Sequence, residues 1–317
     1  MERGEEKLQE KIKQTLLKFN TPRRTIQFLS FIFLSAIVFN LGELPILLPV
    51  LWTWGIKQNT VGDAFTAIQF MFGGWSIEVI FPWLALASFL IVGILIGKSL
   101  CGWICPFGFI QDLVGFIKRK QTEFSPRTHE SMIYIKYAIV VIILFISATF
   151  SAAEISGASS SYKNALGIFA RAPFTALSPA ETLFATLPKM ILDLSNALSA
   201  NQVDVLAGIS SLPALFWVQL AIMICVLVFA AYVPRSWCKY FCPHGAIMAF
   251  LNRFSFLGLR RDLVKCAKGE CRLCVEVCPM RVRILDLPWE KFSDPECIYC
   301  LKCADACPNK AIKLKYP

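Results

Sequence analysis

Residues 101–112 read CGWICPFGFIQD and residues 238–249 read CKYFCPHGAIMA. Both spell Cys-x-x-x-Cys-Pro-x-Gly-x-Ile, and both follow a long apolar run. The order span, outer loop, span, Cys-x-x-x-Cys-Pro-x-Gly and amphipathic stretch therefore occurs twice. A two-span unit repeated in the same orientation predicts two halves related by a pseudo-twofold axis along a membrane normal, with the two thiol pairs meeting near that axis.

The composition supports a membrane setting. Of 317 residues, 56% are hydrophobic and only 17% charged, with a mean hydropathy of +0.57, too apolar for an ordinary soluble domain. Four spans are expected, at about 26–54, 77–97, 132–153 and 212–233, since a crossing takes about 20 apolar residues; the first is interrupted by Asn40 and Glu43. Between the spans, 28 of the 32 Lys and Arg residues fall in 1–25, 98–136 and 234–317, and 4 fall in 40–78 and 154–211. Basic residues collect on the cytoplasmic side. Both termini and the central loop are thus expected in the cytoplasm, and the protein in the cytoplasmic (inner) membrane as a multi-pass chain with the lipid bilayer as partner. The net charge of +10 then reports topology; no basic-aromatic module for nucleic acid is present. Residues 1–25 are expected to form a polar, helical cytoplasmic segment, unlike a cleaved leader. Short interfacial helices are expected within 55–76 and 154–211.

The tail, residues 258–317, carries Cys266-x4-Cys271-x2-Cys274-x3-Cys278-Pro and Cys297-x2-Cys300-x2-Cys303-x3-Cys307-Pro. The second is the bacterial ferredoxin run unaltered; the first has two extra residues between its first two cysteines. In the two-cluster fold each run lends its last cysteine to the other. Cys266, Cys271, Cys274 and Cys307 are thus assigned to one [4Fe–4S] cluster, and Cys297, Cys300, Cys303 and Cys278 to a second. Zinc knuckles are the competing reading.

Two thiolates cannot hold a cubane, but two pairs can. Cys101, Cys105, Cys238 and Cys242 are accordingly expected to share a third iron–sulfur cluster at the cytoplasmic membrane boundary. Pro106 and Pro243 suit the first position of a following helix, whose N–H groups stabilise thiolate or cluster sulfur. Lys98, Arg235 and Lys239 add positive charge nearby. A dithiol redox pair, a copper site or helix packing remain alternatives.

Weaker candidates follow. Only His129 and His244 occur, which excludes a bis-His haem in the bundle. His244 is a candidate for tuning the adjacent cluster or contacting a quinone. Glu43 and Glu78 lie near outer span ends, Cys225 reads as a small buried apolar residue, and Ser159 in "EISGASSSY" stands at the acceptor position of a flavin-attachment-like signature, with an ordinary Ser/Gly turn as its rival.

Four spans, twin Cys-x-x-x-Cys-Pro motifs and a C-terminal two-cluster module together make the chain resemble the membrane polyferredoxins of the NapH, NosR and CcoG type. The resemblance covers nearly the whole chain except 154–211. It implies a mostly α fold, with a four-transmembrane-helix bundle (26–257) bearing the internal twofold repeat and a small α+β bacterial-type 2[4Fe–4S] ferredoxin domain (258–317). It further implies an electron-transfer subunit passing electrons between membrane quinone or quinol, or a membrane partner, and a redox partner protein. Other redox subunits of a membrane complex and a soluble cytoplasmic donor or acceptor are the expected partners. The alternative it offers is a copper- or thiol-reducing maturation factor of the CcoG type.

Overall fold

A computed structural model describes residues 22–32, 87, 90–117, 124–167, 174, 177–187, 190, 191, 195, 213–266 and 271–316. Most of the first expected span, the start of the second, Glu43, Glu78 and most of the outer segments lie outside these residues.

The described part is mostly helical. Residues 22–32 (α1) and 90–96 (α2) are helical. They are followed by α3 (Ser99–Trp103), α4 (Pro106–Val114), α5 (Pro126–Ile155) and α6 (Ser159–Leu166), and then a short turn, α7 (Pro179–Glu181). The series continues with α8 (Ala214–Tyr232), α9 (Ser236–Tyr240) and α10 (Pro243–Asn252).

α5 starts where its sequence dictates: the Ser125 hydroxyl accepts from Thr128 N at 3.3 Å and Pro126 takes the first helical position. Its 30 residues reach about 45 Å at 1.5 Å per residue. α5 and α8 are both long and apolar enough to cross a bilayer. They are apolar on all sides, and Val141, Ile142, Phe145, Trp217, Ile224 and Val228 stand exposed, as lipid-facing side chains do. Cys225 shares that exposed surface, which corrects the expectation of burial: hydrocarbon accommodates a thiol as readily as a protein core does.

The contacts repeat between halves. α1 packs on α4 through Phe28 and Phe31 against Phe109, as α5 packs on α9 and α10. α2 lies on α10, with Gly93 against Leu251, as α8 lies on α4.

The tail begins with β1 (Gly258–Arg261), passes through α11 (Leu273–Glu276) and α12 (Lys302–Asp305), and closes with β2 (Ile312–Lys315). β1 and β2 are antiparallel, from Gly258 opposite Lys315 to Arg261 opposite Ile312. Leu259, Ile284, Phe292, Ile298 and Ile312 form the core beneath the cysteine loops.

Candidate functional site

The two Cys-x-x-x-Cys-Pro motifs adopt one local structure. A five-residue helix ends, the second cysteine takes an extended conformation (φ −56°, ψ 115° at Cys105; φ −74°, ψ 116° at Cys242), and a new helix starts on the proline. Cys105 N donates to Leu100 O at 3.0 Å and Cys242 N to Trp237 O at 2.9 Å. The glycine suits this position because its backbone closes on the first cysteine: a Cβ would lie in tight contact, 3.2 Å from Cys101 O at Gly108 and 3.0 Å from Cys238 O at Gly245. The same glycine supplies an N–H to sulfur, at 3.3 Å from Gly245 to Cys242 Sγ and likewise from Gly108 to Cys105.

These two structures bring Cys101, Cys105, Cys238 and Cys242 together, all buried and each within electrostatic reach of the other three. Gln111 crosses between the halves. Its Nε2 donates to Cys238 Sγ at 3.2 Å and its Oε1 accepts from Trp237 N at 3.1 Å. Burial pushes the Cys101 thiol up to about 11, more than Lys98 and Arg235 pull it down, and it pushes Cys105 and Cys242 up as well. Thiolates persist in such a place only beside a compensating positive centre, as iron would be.

In the tail, Cys266, Cys271, Cys274 and Cys307 line one cavity with Leu285 and Ile312. Cys278, Cys297, Cys300 and Cys303 face one another in a second group. The last cysteine of each run therefore sits with the other run. After each Cys-Pro the chain turns through a residue of positive φ, Arg281 (58°) and Lys310 (49°). The following amides, Val282 N and Ala311 N, reach Cys278 Sγ at 3.4 Å and Cys307 Sγ at 3.3 Å. Amides converging on sulfur favour a negatively charged sulfur. Burial is the main cause that raises Cys274 and Cys278, each to about 11. Among the described residues no three His, Cys, Asp or Glu side chains are grouped to hold a single metal ion.

The groups adjoin one another: Cys303 is within electrostatic reach of Cys274, and Cys101 shares one apolar cluster with Cys274, Ile298, Tyr299 and Cys303.

Residues 79–122 and again 215–262 match a family described as 4Fe-4S binding domain, and residues 292–313 match a second family of the same description. An uncharacterised protein of Methanocaldococcus jannaschii is 26% identical over 237 residues, 73% of this chain and 77% of that one. The ferredoxin-type protein NapH of Haemophilus influenzae is 24% identical over 285 residues, 86% of this chain and 76% of its own. The regulatory protein NosR of Pseudomonas aeruginosa is 24% identical over 291 residues, 86% of this chain but 34% of its own length. The chain is similar to ferredoxin-type proteins of the NapH and NosR type and carries 4Fe-4S binding domains. No solved structure matches it.

In this chain the tail is fastened to the helical core by buried charge. Glu296, next to Cys297, accepts from Lys98 Nζ at 2.8 Å and from Lys136 Nζ. Burial opposes the charge on Lys98, but Glu296 more than offsets it and holds the ammonium above the usual lysine range. Trp103 Nε1 donates to Tyr299 O at 2.9 Å, and Asn252 Nδ2 donates to Asp294 O at 2.6 Å and Cys297 O at 3.2 Å. Gly102 touches Ile298 so closely that a Cβ would fall 2.2 Å from its carbonyl oxygen. The halves are joined by Arg235, which holds Asp112 through Nε at 2.8 Å and Nη2 at 2.7 Å and donates to Cys101 O through Nη1 at 2.8 Å. Arg23 also pairs with Asp112. Burial would raise Asp112, but the two guanidiniums hold its carboxyl well below the usual range.

Sequence reading missed Glu296, Lys136, Asp112 and Gln111. Lys136 carried a signal, being a lone cation just inside an apolar span. His244 is buried in the first turn of α10. His129, expected in a loop, lies in the first turn of α5, with Nδ1 2.8 Å from Tyr240 Oη. Ser159 opens α6; its side chain lies outside the described residues.

Proposed function

We propose that this chain is a polyferredoxin that binds three [4Fe–4S] clusters and passes electrons between a membrane quinone or quinol, or a membrane partner, and a redox protein. The ligands are Cys101, Cys105, Cys238 and Cys242 at the membrane boundary, then Cys278, Cys297, Cys300 and Cys303, then Cys266, Cys271, Cys274 and Cys307. The observation that carries the reading is the convergence of four buried thiols from two distant segments, beside the tail groups. When bound, the clusters supply one-electron transfer. The chain excludes water from the boundary group, directs the Gly108, Gly245, Val282 and Ala311 amides and Gln111 at sulfur, and holds the tail in register through Glu296.

A lipid-borne reductant has a suitable approach. A groove between α1 and α4 is lined by Arg24, Gln27, Phe28, Phe109, Asp112 and Phe116. Its apolar wall suits an isoprenoid-bearing ring. At its polar end Asp112 connects through Arg235 to the Cys101 carbonyl. The charge pattern of the connecting segments supports both termini and the central loop lying in the cytoplasm. A thiol-reducing maturation role needs accessible thiols, and burial of all four boundary cysteines argues against it.

The test is anaerobic reduction of the purified protein by a soluble quinol, followed by EPR. The tail signals should appear in the parent and be lost in Cys101→Ser/Cys105→Ser, while dithionite still elicits them there. Reduction by quinol at the parent rate in that variant, or no reduction of the parent, overturns the proposal.

A further inference from the structure

Among the described residues, the boundary between core and tail holds five buried cations, Arg23, Lys98, Lys136, Arg235 and Lys239. Four of them pair with Asp112 or Glu296. Lys239 pairs with neither. It is 1% exposed, its Nζ has no hydrogen-bond partner, and the nearby Tyr240 ring is 5.6 Å away. The charge acting on it most strongly is Arg281, of the same sign; Cys278 and Cys238 come next, ahead of Glu296, which is already bonded to two lysines.

A buried ammonium beside a guanidinium is strongly unfavourable without negative charge. The side chains around it supply none that is free. A cubane does: four thiolates, four sulfides and irons between ferrous and ferric leave about two negative charges when oxidised and about three when reduced. Cys238 and Cys278 belong to two different thiol groups, so Lys239 stands between them. The repeat does not require it, since the equivalent position after the first cysteine of the other motif is Gly102.

We infer that Lys239 is the shared countercharge of the two neighbouring cluster sites, acting through the Cys238 side of one and the Cys278 side of the other, and that it favours their reduced states. This rests on the three-cluster reading. Lys239 is a positioning and tuning residue, with no bond to iron.

The test is an EPR redox titration with iron quantitation of the full chain and of Lys239→Met and Lys239→Arg. In Lys239→Met the reduction constants of the boundary cluster and of its tail neighbour should each fall at least tenfold, about 59 mV for a one-electron couple. The distal cluster of Cys266, Cys271, Cys274 and Cys307 should not move, and Lys239→Arg should restore the parent values. If Lys239→Met fails to assemble clusters while Lys239→Arg assembles them with parent potentials, the requirement for charge is equally supported. Unmoved potentials in Lys239→Met, an equal shift in all three clusters, or failure of both variants to assemble overturns the inference. A parent with only two clusters sinks the reading beneath it, whereas three clusters with unmoved potentials sink this inference alone.

Discussion

The two Cys-x-x-x-Cys-Pro segments share a backbone and differ in almost everything around it. Three residues before the first cysteine stands Lys98 in one and Arg235 in the other. Lys98 reaches out of the repeat to Glu296 of the tail; Arg235 reaches across it to Asp112. One residue after the first cysteine stands Gly102, against which Ile298 packs, and in the other copy Lys239, buried beside two thiol groups. Gln111 bridges the halves, and its counterpart is the buried Met248. The positions that repeat shape the thiol cage. Those that diverge give the two motifs different contacts: Lys98 and Gly102 of the first touch the tail, and Lys239 of the second is a buried cation with no carboxylate partner among the described residues.

That contrast can be broken at several points. Glu296→Gln should do most, because it leaves Lys98 and Lys136 buried without a carboxylate; a loss of about 3–5 kcal/mol is expected, seen as early release of the tail under limited proteolysis. Asp112→Asn unpairs Arg235 and Arg23 instead and should cost about 2–3 kcal/mol, read from thermal unfolding in detergent, with the tail still attached to the core. Gly102→Ala and Gly108→Ala sharpen the comparison within one motif. The first drives a Cβ into the Ile298 carbonyl and should cost about 1–2 kcal/mol by loosening the tail; the second meets the Cys101 carbonyl at a tolerable distance and should perturb the boundary cluster signal instead.

The smallest effect is a pH dependence. Burial lowers His129 to about 4, with Lys239 and Arg281 adding to it. The unfolded chain, with an ordinary histidine near 6.5, binds the proton first, so stability should fall as pH drops from about 6.5 towards 4, by on the order of 1 kcal/mol. His129→Gln should flatten that slope in melts between pH 5 and 7. An equal slope in the variant would remove His129 as its cause.

Much of this architecture was legible in the residues. Cys-x2-Cys-x2-Cys-x3-Cys-Pro announces its ligands because the loop that presents three thiols is short and local. The twin motifs declared themselves by repetition, and the proline and glycine within them have local jobs that any reader of turn chemistry can assign. The docking surface was not legible. Glu296 and Lys98 lie 198 residues apart, and nothing in a lone glutamate before a cysteine says that two lysines from distant segments will close on it. Asp112 follows the first motif without any signal of its own, and only packing makes it the anchor of two arginines. Cys225 misled for the opposite reason: a thiol in an apolar run suits lipid as well as a core, and sequence alone does not separate the two.

The central claim is that thiols from both motifs enclose one inorganic core, and counting iron and sulfide against protein, with EPR, addresses it most directly. Anaerobically purified parent should hold about twelve irons, falling to about eight in Cys238→Ser with both tail signals intact, given about four irons per cubane. About eight irons in parent and variant alike would contradict the account.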